Sequence, residues 1–185
     1  MITVVHVITK LELGGAQENT LYTCRRLDRG RFRVALLHGP GGMLDDEAAH
    51  LPDARVESVP SLVRNVSPFD DAECVVALGR RFRRLAREHV KLGGDPRAFI
   101  LHTHSSKAGV LGRIAAKAVR VPIVVHSIHG FGFFHSRNPL ERMAFIEAER
   151  LAGRVTDAFI GVSRAILAEA CAWQIIAPHH EVRVI

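Results

Sequence analysis

Short apolar β-branched runs alternate with helical patterns along this chain, and that alternation leaves few folds open to it. Ile2 to Ile8 is the first such run, apolar enough for a strand buried on both faces. Further strands are expected at Arg33–Leu37, Arg55–Val59, Ala98–Leu101, Pro122–His126, Ala158–Val162 and Val182–Ile185. Helical patterns run from Ala16 to about Leu27, over Asp70–Lys91 and Lys107–Val119, from Pro139 to about Leu151, and from Ser163 to about Ala172. Asp70 or Asp71 is expected to cap the long helix, and Ser61 to Phe69 reads as a loop. Strands and helices in strict alternation imply right-handed crossovers and a doubly wound parallel sheet of the α/β class. With 185 residues, one domain spanning 1–185 can bury a sizeable core.

Composition narrows the function classes. The cysteines Cys24, Cys74 and Cys171 are odd in number and far apart, so they read as small buried hydrophobes in a reducing compartment. MITVVHVITK has no basic leader and no small-residue cleavage site, so no signal peptide is expected, and no apolar run is long enough to span a bilayer. A cytoplasmic protein is expected. The net charge of +6 favours anionic partners. Arg80, Arg84, Arg87 and Lys91 fall on one stripe of the long helix, opposite Val75, Leu78, Phe82, Leu85 and Ala86. The stripe is either a solvated outer face or a surface that docks on anionic lipid headgroups. Nucleic acid is not expected, since no aromatic residues are interleaved to stack bases.

Polar chemistry concentrates between His102 and Asn138, which holds five of the eleven histidines: His102, His104, His126, His129 and His135. They fall where strands end, and in a parallel sheet the carboxyl ends of strands form the ligand crevice. No Cys, Asp or Glu joins them at ligand spacing, so no metal site is expected. A GxSxG elbow and a Walker sequence are both absent. What remains suits phosphate: Gly14-Gly15 at one helix start, Ser105-Ser106-Lys107 at another, and His129-Gly130 at a third strand end.

Four motifs then carry a resemblance: KLELGGAQENT from Lys10, HTHSSKAGVLGR from His102, PIVVHSIHGF from Pro122 and DAFIGVSRA from Asp157. In this order they closely resemble the N-terminal domain of family-4 retaining glycosyltransferases, of the kind that builds bacterial exopolysaccharide or capsule. The resemblance implies one Rossmann-like half of a GT-B enzyme, with the acceptor held mainly on this half and the nucleotide-sugar on the other. By position, Gly14 and Gly15 would offer backbone N–H groups to the donor diphosphate. His129 would be the catalytic histidine beside the transferred sugar. Gln17, His104, Ser106, Lys107 and Gly130 would line the acceptor side.

The resemblance further implies a UDP- or GDP-sugar as co-substrate, with no other cofactor, and a glycan or lipid-linked acceptor at the inner face of the membrane. Such acceptors favour the docking reading of Arg80, Arg84, Arg87 and Lys91. The donor-binding elements of the second half are expected to lie outside this chain, which ends at Val182-Arg183-Val184-Ile185. The chain alone is therefore expected to lack turnover and to need the second domain or a partner chain, while the full-length protein is a hexosyltransferase. Glu141 and Glu149 repeat that half's E-x7-E spacing, but on a helix of the wrong domain, and read as chance on an exposed face. The alternatives are a non-catalytic glycan- or partner-binding module that completes a site in trans, and a sugar-nucleotide epimerase-like domain.

Overall fold

The structure, a computed structural model, describes residues 1–135 and 138–185, without the side chains at 134 and 135. The side chain of His135, one of the five histidines between His102 and Asn138, lies outside those described. Seven strands, β1 (Ile2–Lys10), β2 (Phe32–Gly39), β3 (Ala54–Ser58), β4 (Phe99–His104), β5 (Ile123–Ile128), β6 (Ala158–Gly161) and β7 (Glu181–Val184), form one parallel sheet. Their order is β3-β2-β1-β4-β5-β6-β7. The helices are α1 (Gly15–Arg26), α2 (Asp45–Ala49), α3 (Pro68–Lys91), α4 (Ser106–Val119), α5 (Pro139–Gly153) and α6 (Arg164–Ala172), with a 3-10 turn at Gly132–His135. The expected doubly wound parallel α/β sheet is the architecture observed.

The sequence pattern follows position in the sheet. Central β1 is buried from Thr3 to Thr9, while β3, an edge strand, is only half-buried. Covered on both faces, a central parallel strand has no side turned to water, and the sequence of β1 is mostly apolar and β-branched, with Thr3, His6 and Thr9 its buried polar residues. Val5, Val7, Phe99, Leu101 and Val124 pack under α3 and α4 through Leu78, Phe82, Ala115 and Ala116. On the other face Ile8 and Leu36 pack with Leu21 and Cys24 of α1. A third cluster gathers Ile128, Phe131, Phe133, Ile146, Phe159 and Leu167 around β5, β6, α5 and α6.

Several expectations need correction. The long helix starts at Pro68 and is capped by Ser67, whose Oγ accepts from the Asp70 N–H; Asp70 and Asp71 lie in its first turn. Proline suits that first turn because its missing N–H is not needed there. β4 and β5 run on to His104 and Ile128, so their histidines sit within strands more than beyond them. The short α2 follows a glycine loop that gave no helical signal. Cys171 is exposed, because α6 turns Leu167 and Ala170 inward instead. Glu149 is buried, 3% exposed, where Arg113 Nη2 meets its Oε2 at 2.5 Å. Arg113 is itself fully enclosed and also donates to the Gly109 carbonyl. This pair ties α4 to α5; the exposed face belongs to Glu141.

Candidate functional site

Chain order reverses between β1 and β4, and at such a switch point the connections leave to opposite faces and open a crevice at the strand ends. α1 starts on one side of it and α4 on the other. Ser105 makes the turn into α4 with φ +62° and ψ 155°, a region few residues other than glycine enter. Thr9 holds that turn from the neighbouring strand. Its Oγ1 lies 2.8 Å from Ser105 Oγ, its N–H donates to the same hydroxyl, and Oγ1 accepts from the Ala108 N–H at 3.1 Å. A residue of β1 thus caps α4. Among the described residues the Ser106 and Lys107 N–H groups keep no partner, nor do those of Gly15 and Ala16 at the start of α1. Bare N–H groups at two helix starts suit an anion.

Four histidines line the same strand ends. His6 of β1 is the register partner of His102 in β4, and His104 lies two residues on, so all three share one face. His6 Nδ1 lies 3.0 Å from His104 Nε2, and His104 Nδ1 lies 3.3 Å from His129 Nε2. His102 pairs with Ser127 Oγ at 2.7 Å, and His126, on the opposite face, pairs with Thr103 Oγ1 at 2.9 Å. Burial, helped by the Arg29 guanidinium, pushes His6 down to about 4. Burial first, then the neighbouring charges, holds His102, His104 and His126 well below the ordinary range. Burial also lowers the half-buried His129. The imidazoles are neutral at physiological pH.

His6, His102 and His104 each bring a nitrogen within 4.8 Å of the others, a grouping that sequence spacing hides because His6 is on a distant strand. Both nitrogens of His104 are already in contact with other imidazoles, so this arrangement leaves it no free lone pair for an ion.

The remaining residues divide. Ser106 Oγ accepts from the Gly132 N–H and pins the loop after β5 beside α4. Gln17 donates to the Lys10 carbonyl and fixes the turn before α1. A Cβ at Gly15 or at Gly130 would meet nothing within 4 Å, whereas one at Gly14 would meet Gln17 Oε1. Lys107 turns from the crevice to α3, 2.6 Å from Asp71 Oδ1 and bonded to the Asn65 carbonyl. His104, His129 and Ser106 therefore come together, with Gly15 at the start of α1 and Lys107 drawn aside.

The basic stripe lies elsewhere, on the outer face of α3, where Arg80, Arg83, Arg84, Arg87 and Lys91 line an open groove with Glu88. Arg84 spends both carboxylate contacts on Glu57, each at 2.6 Å. Burial would raise the Glu57 carboxyl, but hydrogen bonds from Arg84 and Arg55 outweigh it and hold the group below its ordinary value. Among the described residues Arg80, Arg87 and Lys91 have no carboxylate partner within ion-pair distance.

Sequence reasoning missed His6, Thr9, and the strained turn at Ser105. A histidine inside the β-branched run of β1 was the available signal, since a polar side chain there needs a partner. Which partner it finds depends on the pairing of β1 with β4.

Comparison with known proteins agrees with this fold. A galactosyltransferase of Escherichia coli, UDP-Gal:alpha-D-GlcNAc-diphosphoundecaprenol alpha-1,3-galactosyltransferase, is 33% identical over 160 residues, 86% of this chain. The chain spans only 38% of that relative's length. Among solved structures, MurG of Acinetobacter baumannii superposes over 100% of this chain and 45% of its own, with TM-score 0.59 and 14% identity. Sucrose-phosphate synthase of Thermosynechococcus elongatus matches 99% of this chain and 87% of its own, with TM-score 0.61 and 14% identity. At those identities the two structures speak for the fold alone. Residues 14–185, nearly the whole length, match the glycosyl transferase 4-like domain, and the chain belongs to that family.

Proposed function

We propose that this chain is the acceptor-side domain of a retaining glycosyltransferase, which moves a hexose from a UDP- or GDP-sugar to a glycan or lipid-linked acceptor. The observation that carries the reading is the open space at Gly15, the first residue of α1, and at Gly130, which follows His129 after β5. Neither glycine is demanded by packing within the chain, which leaves room for a ligand to approach both backbones from outside. The bare N–H groups of Gly15 and Ala16 suit the donor diphosphate, and His129 would contact the transferred sugar. The E. coli relative's name gives a sugar linked by diphosphate to undecaprenol as its acceptor, and this supports a lipid-linked acceptor here.

In such a transfer the bond from the anomeric carbon to the diphosphate breaks as the acceptor hydroxyl adds on the same face. Charge then builds on the leaving diphosphate. Donors already aimed there stabilise the transition state more than the ground state. The exposed cations on α3 would rest on anionic headgroups and bring the crevice to the lipid-linked substrate. No helix among the described residues is long and apolar enough to cross a membrane.

The test is sugar transfer from labelled UDP- and GDP-hexoses to a polyprenyl-diphosphate-linked sugar by the longer protein that contains this chain. His129→Ala should lower kcat about 100-fold or more, a typical loss for one transition-state donor. The 185-residue chain alone should show no turnover. Full activity of the His129→Ala protein, or transfer by the isolated chain at the longer protein's rate, would overturn the reading.

A further inference from the structure

The His6–His104–His129 row has a geometry that decides where its protons sit. His6 and His104 have ring centroids 5.3 Å apart and planes only 21° apart, yet their nitrogens approach to 3.0 Å. Rings so nearly parallel, with nitrogens that much closer than centroids, meet edge to edge. His104 and His129 repeat the arrangement, with centroids at 5.6 Å, planes 32° apart and nitrogens at 3.3 Å. The row is therefore a hydrogen-bonded wire that runs from the core to the crevice. His6 and His104 are fully buried at its inner end, and His129 is half-buried at its outer one.

A neutral imidazole has one N–H and one lone pair. His104 touches an imidazole through each nitrogen, so it must donate at one and accept at the other, and both bonds run in the same sense. If the protons point inward, His6 is left with an Nε2–H. That atom is sealed from solvent and has no partner among the described residues. If they point outward, only a lone pair is left at that spot. A sealed N–H without an acceptor is the rarer and costlier defect, because the donor gives up water and gains nothing in return. The outward sense is preferred.

From this wire we infer that His6 and His104 are positioning residues that hold His129 as its Nδ1–H tautomer, so that His129 meets its ligand as a hydrogen-bond donor. Its Nε2 lone pair is occupied by His104. Among the described residues its Nδ1 has no partner, and it is not among the sealed, unpartnered atoms, which leaves that N–H open to the crevice. The fitting ligand atom is an oxygen rich in lone pairs, a sugar hydroxyl or a phosphate oxygen. A general base, which needs a free lone pair, is excluded at this ring in this state. Neutrality of the row agrees, since burial keeps each ring from taking a second proton.

This rests on the reading of His129 as the ligand-facing residue, but the tautomer can be measured without ligand, so the two can fail separately. The measurement is a long-range 1H–15N correlation of histidine side chains in uniformly 15N-labelled protein at neutral pH, with His129 assigned by its loss in His129→Asn. The wild-type spectrum should show protonated Nδ1 and bare Nε2 at His129, His104 and His6. In His104→Phe, which keeps a ring and removes both nitrogens, His129 should move toward the Nε2–H form. A proton on Nε2 of His129 in the wild type, or both nitrogens protonated, would overturn the inference. That spectrum decides the matter even if His104→Phe does not fold. An Nδ1–H His129 together with undiminished transfer by His129→Ala would sink the functional reading and leave the wire intact.

Discussion

At the scale of single residues, the sharpest distinction is between side chains the fold needs and side chains it leaves idle. Gly15 opens α1 with bare space at its Cβ position, so Gly15→Ala has no clash to overcome within the chain. Alanine is favoured over glycine in a helix by up to about 1 kcal/mol, so thermal stability should hold or rise slightly. Turnover of the longer protein should nevertheless fall about tenfold or more if a diphosphate packs against that backbone. Loss of both stability and turnover would mean the glycine serves the fold. Thr9 is the opposite case. Its hydroxyl caps α4 from another strand and holds Ser105 in its left-handed turn. Thr9→Val keeps the shape and removes the cap, and should cost about 1–2 kcal/mol in chemical denaturation. An unchanged midpoint would show that Ser105 needs no such support.

At the scale of elements, α4 and α5 are joined by a buried ion pair that neither helix could satisfy alone. Glu149→Gln leaves Arg113 enclosed without its counter-charge, and loss of one partner of a buried pair costs about 3–5 kcal/mol. Equilibrium unfolding in urea should show that loss, and a change below about 1 kcal/mol would contradict it. The same pair shows what a sequence can and cannot disclose. Glu149 and Glu141 look alike on a helical pattern, and only the arrival of α4 against α5 tells them apart. Strand and helix identity was legible because burial on both faces writes long apolar runs, as in β1. So was the clustering of histidines at strand ends. The partnerships were not: His6 meets His102 through strand register, Thr9 meets Ala108 across the sheet, and Lys107 is drawn to Asp71 by the packing of α3 on α4. Contacts of this kind depend on tertiary placement and leave no local pattern.

At the scale of the whole molecule, the fold is built around neutral histidines, and this sets its response to pH. In the unfolded chain a histidine takes up a proton near pH 6.5, whereas His6 waits until about 4 and His102, His104 and His126 also titrate well below 6.5. Below pH 6.5 the unfolded state therefore binds protons that the folded state refuses. Stability is complete above that pH and declines as pH falls toward the folded values. The slope is about 1.4 kcal/mol per pH unit for each such histidine. Thermal midpoints should drop steeply between pH 7 and pH 5, and a flat profile would mean that the cluster opens to water before it titrates. The outer face of α3 gives a second whole-molecule expectation. Vesicles with anionic lipid should retain the protein at low salt and release it as salt rises, and Arg80→Glu with Arg87→Glu should abolish retention. Equal retention of that variant would assign the stripe to solvation alone.

The central claim is that the crevice between the ends of β1, β4 and β5 receives the acceptor. It is tested most directly by titration of 15N-labelled protein with a water-soluble sugar diphosphate that bears a short prenyl chain. The account predicts that backbone amide shifts concentrate at Ser106, His129 and Gly130, with the far ends of the strands unmoved. Shifts confined to Arg80–Lys91 on α3, or no shifts at a concentration that saturates the longer protein, would contradict it.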